Sequence, residues 1–284
     1  MVIADLKLPF GLKGEKLVHI SQVDSGLKCD CVCPACSHPL VARKGNIVVH
    51  HFAHYNGAEC EHATETALHI AAKDILNKHR KMKLPPAYLE FRSYKKPWVI
   101  YDEMYINFDD VKIENKFKDV IPDVIVYIKG QPLIIEVAVT HKTNEEKLNR
   151  IKQEGISVLE IVLEQYNRNF SFSELEDDII NHARSKRWLY NRKCENVKKA
   201  LIRIGKKKSI IPRGLALHVD YCPIKARIWK GKPYANYIDD CINCQHFIDP
   251  DHNDGNLESI ICVGHLKLST YEDFINLGKT HNFA

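Results

Sequence analysis

A single acidic residue interrupts the apolar stretch PLIIEVAV, residues 132–139. In an extended strand, alternate side chains point to opposite faces, so Glu136 shares a face with Ala138 while Ile135 and Val137 point the other way. Burial of a carboxylate in such a strand is costly unless it is paired or bound to a metal ion. The stretch therefore predicts a strand of a packed core and a special environment for Glu136.

A second acid, Asp123, follows Pro122 and begins the preceding apolar segment. A hairpin turned at Gly130 would place Asp123 beside Glu136. Two adjacent carboxylates repel each other, and a divalent cation is a natural way to keep both ionised. The alternative is that Asp123 caps a turn and that Glu136 pairs with a buried lysine or arginine.

The segment PDVIVYIKGQPLIIEVA resembles the site of the PD-(D/E)xK superfamily, whose fold is that of restriction endonucleases. The resemblance implies an α/β fold with a restriction-endonuclease-like core, which is a mixed sheet flanked by helices. It also implies that Asp123 and Glu136 are catalytic and hold Mg²⁺ or Mn²⁺. The expected order of helix, three strands, helix and strand agrees with the pattern from Thr64, as N-cap of the first helix, to Leu163.

The superfamily usually carries a lysine two residues after the second acid, and here Ala138 occupies that place. In the related viral cap-snatching endonucleases the lysine comes from the following helix. Lys147 is then the expected catalytic lysine, on a helix predicted from a Thr143–Glu146 capping box to Gly155. Lys142 and Lys73 are alternatives.

Two further catalytic candidates follow from the same resemblance. An acid on the first helix assists the metal ion in the superfamily, and Glu65 fits that role. Glu65, His69 and Lys73 are spaced by four residues and share one helix face. The alternative is an ordinary surface stripe. His141 is a candidate for orienting a water or a phosphate, the alternative being a plain loop histidine.

The N-terminal cysteines predict a metal site. The spacing gives Cys33-x2-Cys36, 14 residues, and then His51-x2-His54, and tetrahedral zinc accepts such sulfur and nitrogen ligands readily. Cys60 could replace His51, and either Cys29 or Cys31 could replace one of the first pair, so the ligand set stays open. The stretch from Cys33 to Lys73, together with EVAVTHKTNEEKLNRIKQEGISVLEI, resembles the competence protein CoiA-like family. That resemblance, over about residues 25 to 165, implies a zinc-finger-like segment before a nuclease domain.

The C-terminal cysteines predict a second structural zinc site. Eighteen, two and 17 residues separate the four cysteines, which are Cys222, Cys241, Cys244 and Cys262. This all-thiolate set suits tetrahedral zinc. Disulfides are not expected, because the chain shows neither a signal pattern nor an apolar run of membrane length, which predicts a reducing cytoplasmic location.

The positive charge of the chain is concentrated in one stretch. The net charge is +5, and residues 184–208 contain eleven lysines and arginines with one acid. Such a stretch favours a phosphate backbone, although a solvated helix face is the alternative. The candidate nucleic-acid contacts are Arg184, Lys186, Arg187, Arg192, Lys193, Lys198, Lys199 and Arg203.

The whole pattern predicts four segments. These are an N-terminal zinc-finger-like segment (1–62), a nuclease core (63–168), a basic helical linker (169–212) and a C-terminal zinc module (213–284). The expected function is Mg²⁺- or Mn²⁺-dependent hydrolysis of nucleic acid, DNA rather than RNA, without a membrane partner. The alternatives are a nucleic-acid-binding protein on an inactive nuclease fold, acting in DNA uptake, recombination or phage defence, and a zinc-stabilised interaction scaffold.

Overall fold

The computed structural model describes residues 8–57, 60–92, 96–140, 144–167, 171–253 and 256–281. The α-helices are α1 (Ala63–His79), α2 (Glu145–Gln153), α3 (Phe172–Asn181), α4 (Arg192–Ile204) and α5 (Tyr271–His281). The strands of the first half are β1 (Phe10–Lys13), β2 (Lys16–His19), β3 (Gly26–Val32), β4 (Pro39–Arg43), β5 (His51–His54), β6 (Lys81–Leu84), β7 (Ala87–Leu89), β8 (Trp98–Tyr101), β9 (Met104–Asn107), β10 (Asp110–Ile113), β11 (Val124–Ile128) and β12 (Gln131–Ala138). The remaining strands are β13 (Ser157–Val162), β14 (Lys186–Tyr190), β15 (Lys206–Arg213), β16 (Ala216–Asp220), β17 (Arg227–Trp229), β18 (Lys232–Asn236), β19 (Phe247–Asn253) and β20 (Asn256–Cys262).

The chain divides into two compact units. Unit 1 comprises Met1–Pro85 and Glu103–Asn191, and unit 2 comprises Pro86–Asp102 and Arg192–Ala284. Along the described ranges, every helix is too short or too polar to cross a lipid bilayer.

The N-terminal sheet of unit 1 has the antiparallel strand order β2-β1-β3-β4-β5. Phe10, Leu40 and Phe52 are buried beneath it. A Cβ atom at Gly11 would lie 3.1 Å from side-chain atoms of both Cys31 and Leu40, closer than most Cβ contacts, so this close packing favours glycine. The sequence predicts only a turn-rich segment here, because these strands are short.

The central sheet of unit 1 has the order β10-β11-β12-β13-β14. Strands β11 and β12 form an antiparallel hairpin, and Gly130 in its turn has φ +74°, a backbone angle that favours glycine. Helix α2 connects β12 to β13, which pair in parallel. The hairpin and the parallel pair predicted from the sequence are therefore both confirmed.

Both faces of the central sheet are covered. Val124 and Ile135 belong to the same buried cluster as residues of α1, whereas Ile125 and Ile134 cluster with Ile151 of α2. A strand covered on both faces needs apolar side chains at successive positions rather than alternating ones. This explains the run of buried residues in β12 and isolates Glu136 within it.

The two predicted helix caps are wrong. Thr64 is buried in the first turn of α1, and the N-cap position is His62, without a side-chain cap bond. The N-cap of α2 is Asn144, whose side chain accepts hydrogen bonds from the backbone N–H groups of Glu146 and Lys147. Thr143, Lys142 and His141 lie outside the described residues.

The predicted basic helical linker is only partly helical, because it contains α3 and α4 but also a strand between them and the start of β15. Lys186–Tyr190 forms β14 at the edge of the central sheet, between α3 and α4. The strand pairs antiparallel with β13, which places Arg187 opposite Glu160. This tertiary pairing overrides the helical pattern of the flanking residues.

The C-terminal sheet of unit 2 has the order β17-β18-β16-β15-β20-β19, and its neighbouring strands are antiparallel. Ile210, Val219 and Ala235 are buried and cluster with the C-terminal cysteines. The alternate residues of these strands are less buried. A sheet with one packed and one solvated face explains this alternation.

Candidate metal centre and its surroundings

The hairpin brings the two predicted acids together. Val124 pairs with Ile135, so Asp123, immediately before β11, lies across from Glu136 of β12 on the same side of the hairpin. Burial, and to a smaller extent the negative charge of the neighbouring Asp123, raise the pKa of Glu136. The hairpin therefore creates the adjacent pair of acids that the sequence predicts.

Asp123 lies in a positive environment. Its Oδ2 atom accepts a hydrogen bond of 2.9 Å from the backbone N–H of Val137 and lies 3.6 Å from His69 Nδ1, and its Oδ1 atom is 3.5 Å from Lys73 Nζ. Burial raises the pKa of Asp123, but His69, the Val137 N–H and Lys73 outweigh this effect and hold the pKa at about 2. Asp123 is therefore an anion at neutral pH.

Glu136 is only 5% exposed. Its Oε2 atom accepts a hydrogen bond of 2.7 Å from Lys147 Nζ, while its Oε1 atom is buried and has no hydrogen-bond partner within the described part of the chain. Burial raises the pKa of Glu136 to about 7, against the charge and hydrogen bond of Lys147. Lys147, from the first turn of α2, therefore lies beside Glu136, while Ala138 occupies the position two residues later where the superfamily usually has a lysine.

Helix α1 contacts the acid pair through two of the three residues predicted to share one of its faces. His69 and Lys73 both approach Asp123, and Lys73 also forms an ion pair of 2.6 Å with Glu114. Glu65 lies one turn nearer the N-terminus, where its carboxylate is 3.9 Å from His62 Nδ1. The described contacts therefore link Asp123 to His69 and Lys73, and Glu136 to Lys147.

A buried pair beside the acids escaped the sequence analysis. Glu160 of β13 is adjacent to Glu136 in the parallel register and is 1% exposed. Arg187 of β14 donates a hydrogen bond of 2.6 Å from Nε to Glu160. The sequence feature that could have indicated this pair is the single acid within the apolar segment SVLEIV, the same pattern as that of Glu136 in β12.

The N-terminal cluster has four potential ligands. The ligand atoms of Cys33, Cys36, His54 and Cys60 all lie within 4.8 Å of one another. Three sulfurs and one nitrogen at this spacing suit a tetrahedral zinc ion. The cluster thus has the composition to bind one zinc ion.

His51 is not among the four residues of this cluster, which corresponds to the alternative in which Cys60 replaces it. Residues three apart on a strand point to opposite faces, so β5 turns His51 away when His54 faces the cysteines. His51 Nδ1 instead lies 2.8 Å from the Val49 carbonyl oxygen. The thiols of Cys29 and Cys31 donate to the carbonyl oxygens of Leu40 and Cys29.

The two cysteines of the first pair differ in acidity. Burial raises the pKa of Cys33 to about 11. Burial also raises the pKa of Cys36, but hydrogen bonds from the His38 backbone and from the side chains of Cys33, His54 and His38 bring it to about 6. Cys36 Sγ is 3.3 Å from His54 Nε2. Zinc binds thiolate, so Cys36 already favours the ligating form.

The C-terminal cysteines lie around one cavity of unit 2, three of them buried and Cys244 half-buried. Cys222, Cys241, Cys244 and Cys262 all line one cavity, and the Gly264 N–H donates to Cys262 Sγ at 3.3 Å. The charges of the other three cysteines contribute to the raised pKa of Cys241, after its burial. The structure brings the four predicted residues into one neighbourhood.

The basic stretch is divided between the two units. In unit 1, Arg184 pairs with Asp178 and Arg187 with Glu160. Lys186 is buried and donates to backbone carbonyl oxygens, including that of Asp178 at 3.3 Å. Its ammonium group is therefore not on the surface that a phosphate contact requires.

The remaining predicted phosphate contacts belong to α4 of unit 2. Arg192, Lys193, Lys199 and Arg203 are exposed, whereas Lys198 forms an ion pair of 3.0 Å with Asp249. Lys193 Nζ lies 5.4 Å and 5.5 Å from the ring centroids of Tyr101 and Tyr271. The exposed side chains of α4 still form a basic surface.

Comparison with known proteins bears on the N-terminal region. No curated protein and no solved structure matches the chain. Residues 16–63 match the family model described as competence protein CoiA, N-terminal domain. All four residues of the N-terminal cluster lie within this match, which supports the resemblance to the CoiA-like family.

Proposed function

We propose that unit 1 is a metal-dependent nuclease that hydrolyses phosphodiester bonds of nucleic acid, DNA rather than RNA. The observation that carries the proposal is the buried Oε1 atom of Glu136, which has no hydrogen-bond partner among the residues that the structure describes and lies beside the anion of Asp123. A purely structural ion pair would leave no such atom, because a buried polar atom without a partner costs about 1–3 kcal/mol.

The donor set fits a hard divalent cation. Mg²⁺ is commonly bound by one or two carboxylates together with water and substrate phosphates, and Asp123 and Glu136 supply two carboxylates. When bound, the ion would activate a water molecule and neutralise charge on the phosphate. The central sheet also supports the proposal of a restriction-endonuclease-like core, because α1, β10 to β12, α2 and β13 follow the element order of that fold once β6 to β9, which lie between α1 and β10 and pair outside this sheet, are set aside.

Lys147 has the catalytic-lysine role in this proposal. Its Nζ atom is 2.7 Å from Glu136 Oε2, so its positive charge lies next to the pair of acids. There it would stabilise the charge that develops on the phosphate in the transition state. His69 and Lys73 act as positioning residues, since they hold Asp123.

A binding role without catalysis is the second candidate. Ala138, at the usual lysine position, is 3% exposed, so that place is filled by packing and has no cation. Lys147 already neutralises Glu136 without an ion. A nucleic-acid-binding protein on an inactive nuclease fold, acting in DNA uptake, recombination or phage defence, would tolerate both features.

The test is a cleavage assay on single- and double-stranded DNA and RNA with Mg²⁺ or Mn²⁺. The metal-free arm omits the cation rather than adding a chelator, which would also strip zinc. We expect cleavage by the wild-type protein and by Glu146→Gln, an exposed control on α2, but none by Glu136→Gln. Absence of wild-type cleavage on every substrate would favour the binding role.

We also propose that zinc binds both cysteine clusters, with Cys222, Cys241, Cys244 and Cys262 as the ligands in unit 2. Their position around one cavity and the Gly264 N–H bond to the Cys262 sulfur support a structural site.

A further inference from the structure

The outer face of the C-terminal sheet carries aromatic rings where a solvated sheet would carry polar groups. Trp229 pairs with Lys232 across β17 and β18, and Tyr234 pairs with Asp220 of β16. Directly paired residues point to the same face, so these four side chains share the face opposite the cysteines. Trp229 is 63% exposed.

These rings line a cleft rather than a flat surface. The cleft has a volume of about 390 Å³, within the size range of ligand pockets. Besides Trp229, Lys232 and Tyr234, its wall includes Arg213, His218 and Asp220. The rings of His218 and Tyr234 lie 5.0 Å apart at 34°, and Tyr221, at the rim, is 64% exposed.

The charge of the cleft is positive. Its acid, Asp220, forms a two-point ion pair with Arg213, with N–O distances of 2.8 and 2.7 Å. The negative charge is therefore neutralised, and Lys232 adds a positive charge. Lys230, on the turn between β17 and β18, lies 4.8 Å from the ring centroid of Trp229.

We infer that this cleft binds single-stranded nucleic acid, with bases stacked on Trp229 and Tyr234 and with phosphates near Lys230 and Lys232. Aromatic rings beside cations in a groove are the means by which proteins bind single strands, because an unpaired base exposes its flat face. A duplex conceals those faces in its own stack. The inference deepens the proposed function, on which it rests for nucleic acid as the partner, and names the single-stranded form as ligand.

The test measures binding directly, without an added divalent cation and therefore without cleavage. The probe is a fluorescein-labelled 15-nucleotide oligothymidylate, followed by anisotropy with the full-length protein. Loss of one stacking contact weakens binding by about 5- to 150-fold, so we expect Trp229→Ala to raise Kd within that range and Trp229→Phe to raise it less. Tyr88→Ala, another exposed aromatic of unit 2, should leave Kd within about twofold.

Two further readouts separate the cleft from general electrostatic binding. The oligonucleotide should quench tryptophan fluorescence in the wild type but much less in Trp229→Phe, because of the two remaining tryptophans Trp98 is buried and Trp188 is half-buried in unit 1, outside the cleft. The double variant Lys230→Ala, Lys232→Ala should lower the slope of log K against log salt by about 0.7 for each lost phosphate contact.

Three results would overturn the inference: an unchanged Kd in Trp229→Ala, an equal loss in Tyr88→Ala, or tighter binding of a duplex of the same length. Failure of the nuclease proposal is distinguishable, because a protein that never cleaves can still bind the oligonucleotide through this cleft. Conversely, duplex cleavage without oligonucleotide binding would overturn only the inference made here.

Discussion

The buried charged side chains of unit 1 differ in how well they are paired. Asp178 accepts hydrogen bonds from Gln165 and Tyr166 and pairs with Arg184, and Glu160 is bonded to Arg187. Such pairs stabilise a core only when partner groups satisfy the charge. Glu136 differs because one of its oxygens lacks a partner within the described residues, which directs the functional proposal to that residue.

Lys186 leads to a prediction about pH. Burial lowers its pKa from 10.5 to about 8, so between these values the unfolded chain binds the proton and the folded chain does not. Stability should then rise with pH across that window, by up to about 3 kcal/mol. We expect the free energy of unfolding of the wild type, measured with urea, to rise relative to that of Lys186→Met from pH 8 to 10.5. The free energy of unfolding of Lys81→Met, a control at an exposed lysine, should depend on pH as that of the wild type does. A pH dependence of Lys186→Met parallel to that of the wild type would contradict the assignment of this effect to Lys186.

At the scale of elements, the sequence predicts what depends on local pattern. The hairpin at Gly130 and the parallel pair joined by α2 could be predicted because turn chemistry and apolar runs determine them. Strand β14 could not be predicted from the sequence, because its pairing with β13 involves Glu160, which lies 27 residues away from Arg187. The position of Lys147 beside Glu136 could be predicted, because the first turn of a helix that follows a strand lies near the C-terminal end of that strand.

Strand β5 provides a prediction about zinc. Because the alternation of side chains turns His54 toward the cysteines and His51 away, His54→Ala should lose about one zinc ion per chain. His51→Ala, the matched control, should retain the wild-type content. Elemental analysis of protein purified under reducing conditions checks both variants. Equal zinc content in the two would contradict the assigned ligand set.

At the scale of the whole molecule, the chain consists of two units that each contain a cysteine cluster. Unit 1 also contains the paired acids, and unit 2 contains the aromatic cleft and the exposed basic residues of α4. The basic stretch that suggested one nucleic-acid site from the sequence is divided between them at Arg192. A one-dimensional charge pattern could not reveal this division, because it depends on which sheet each segment joins.

The separate cores lead to a prediction about stability. The double variant Cys241→Ser, Cys244→Ser should lose one of two zinc ions, and unit 2 should lose its protected amides while unit 1 keeps them, since structural zinc contributes directly to folding. Hydrogen exchange read by mass spectrometry, together with zinc analysis, measures both effects. Cys194→Ser, a cysteine of α4, should keep both ions. Full zinc content in the double variant would refute the second site.

The most direct test of the central claim is the single-turnover cleavage rate of Lys147→Ala with Mn²⁺, beside Lys152→Ala as control on the same helix. Loss of a group that stabilises the transition state lowers the rate by about 10²–10³. We predict such a loss for Lys147→Ala, with Mn²⁺ affinity within a few-fold of the wild type and a normal rate for Lys152→Ala. Wild-type activity in Lys147→Ala would show that this lysine only neutralises Glu136 and would contradict the claim.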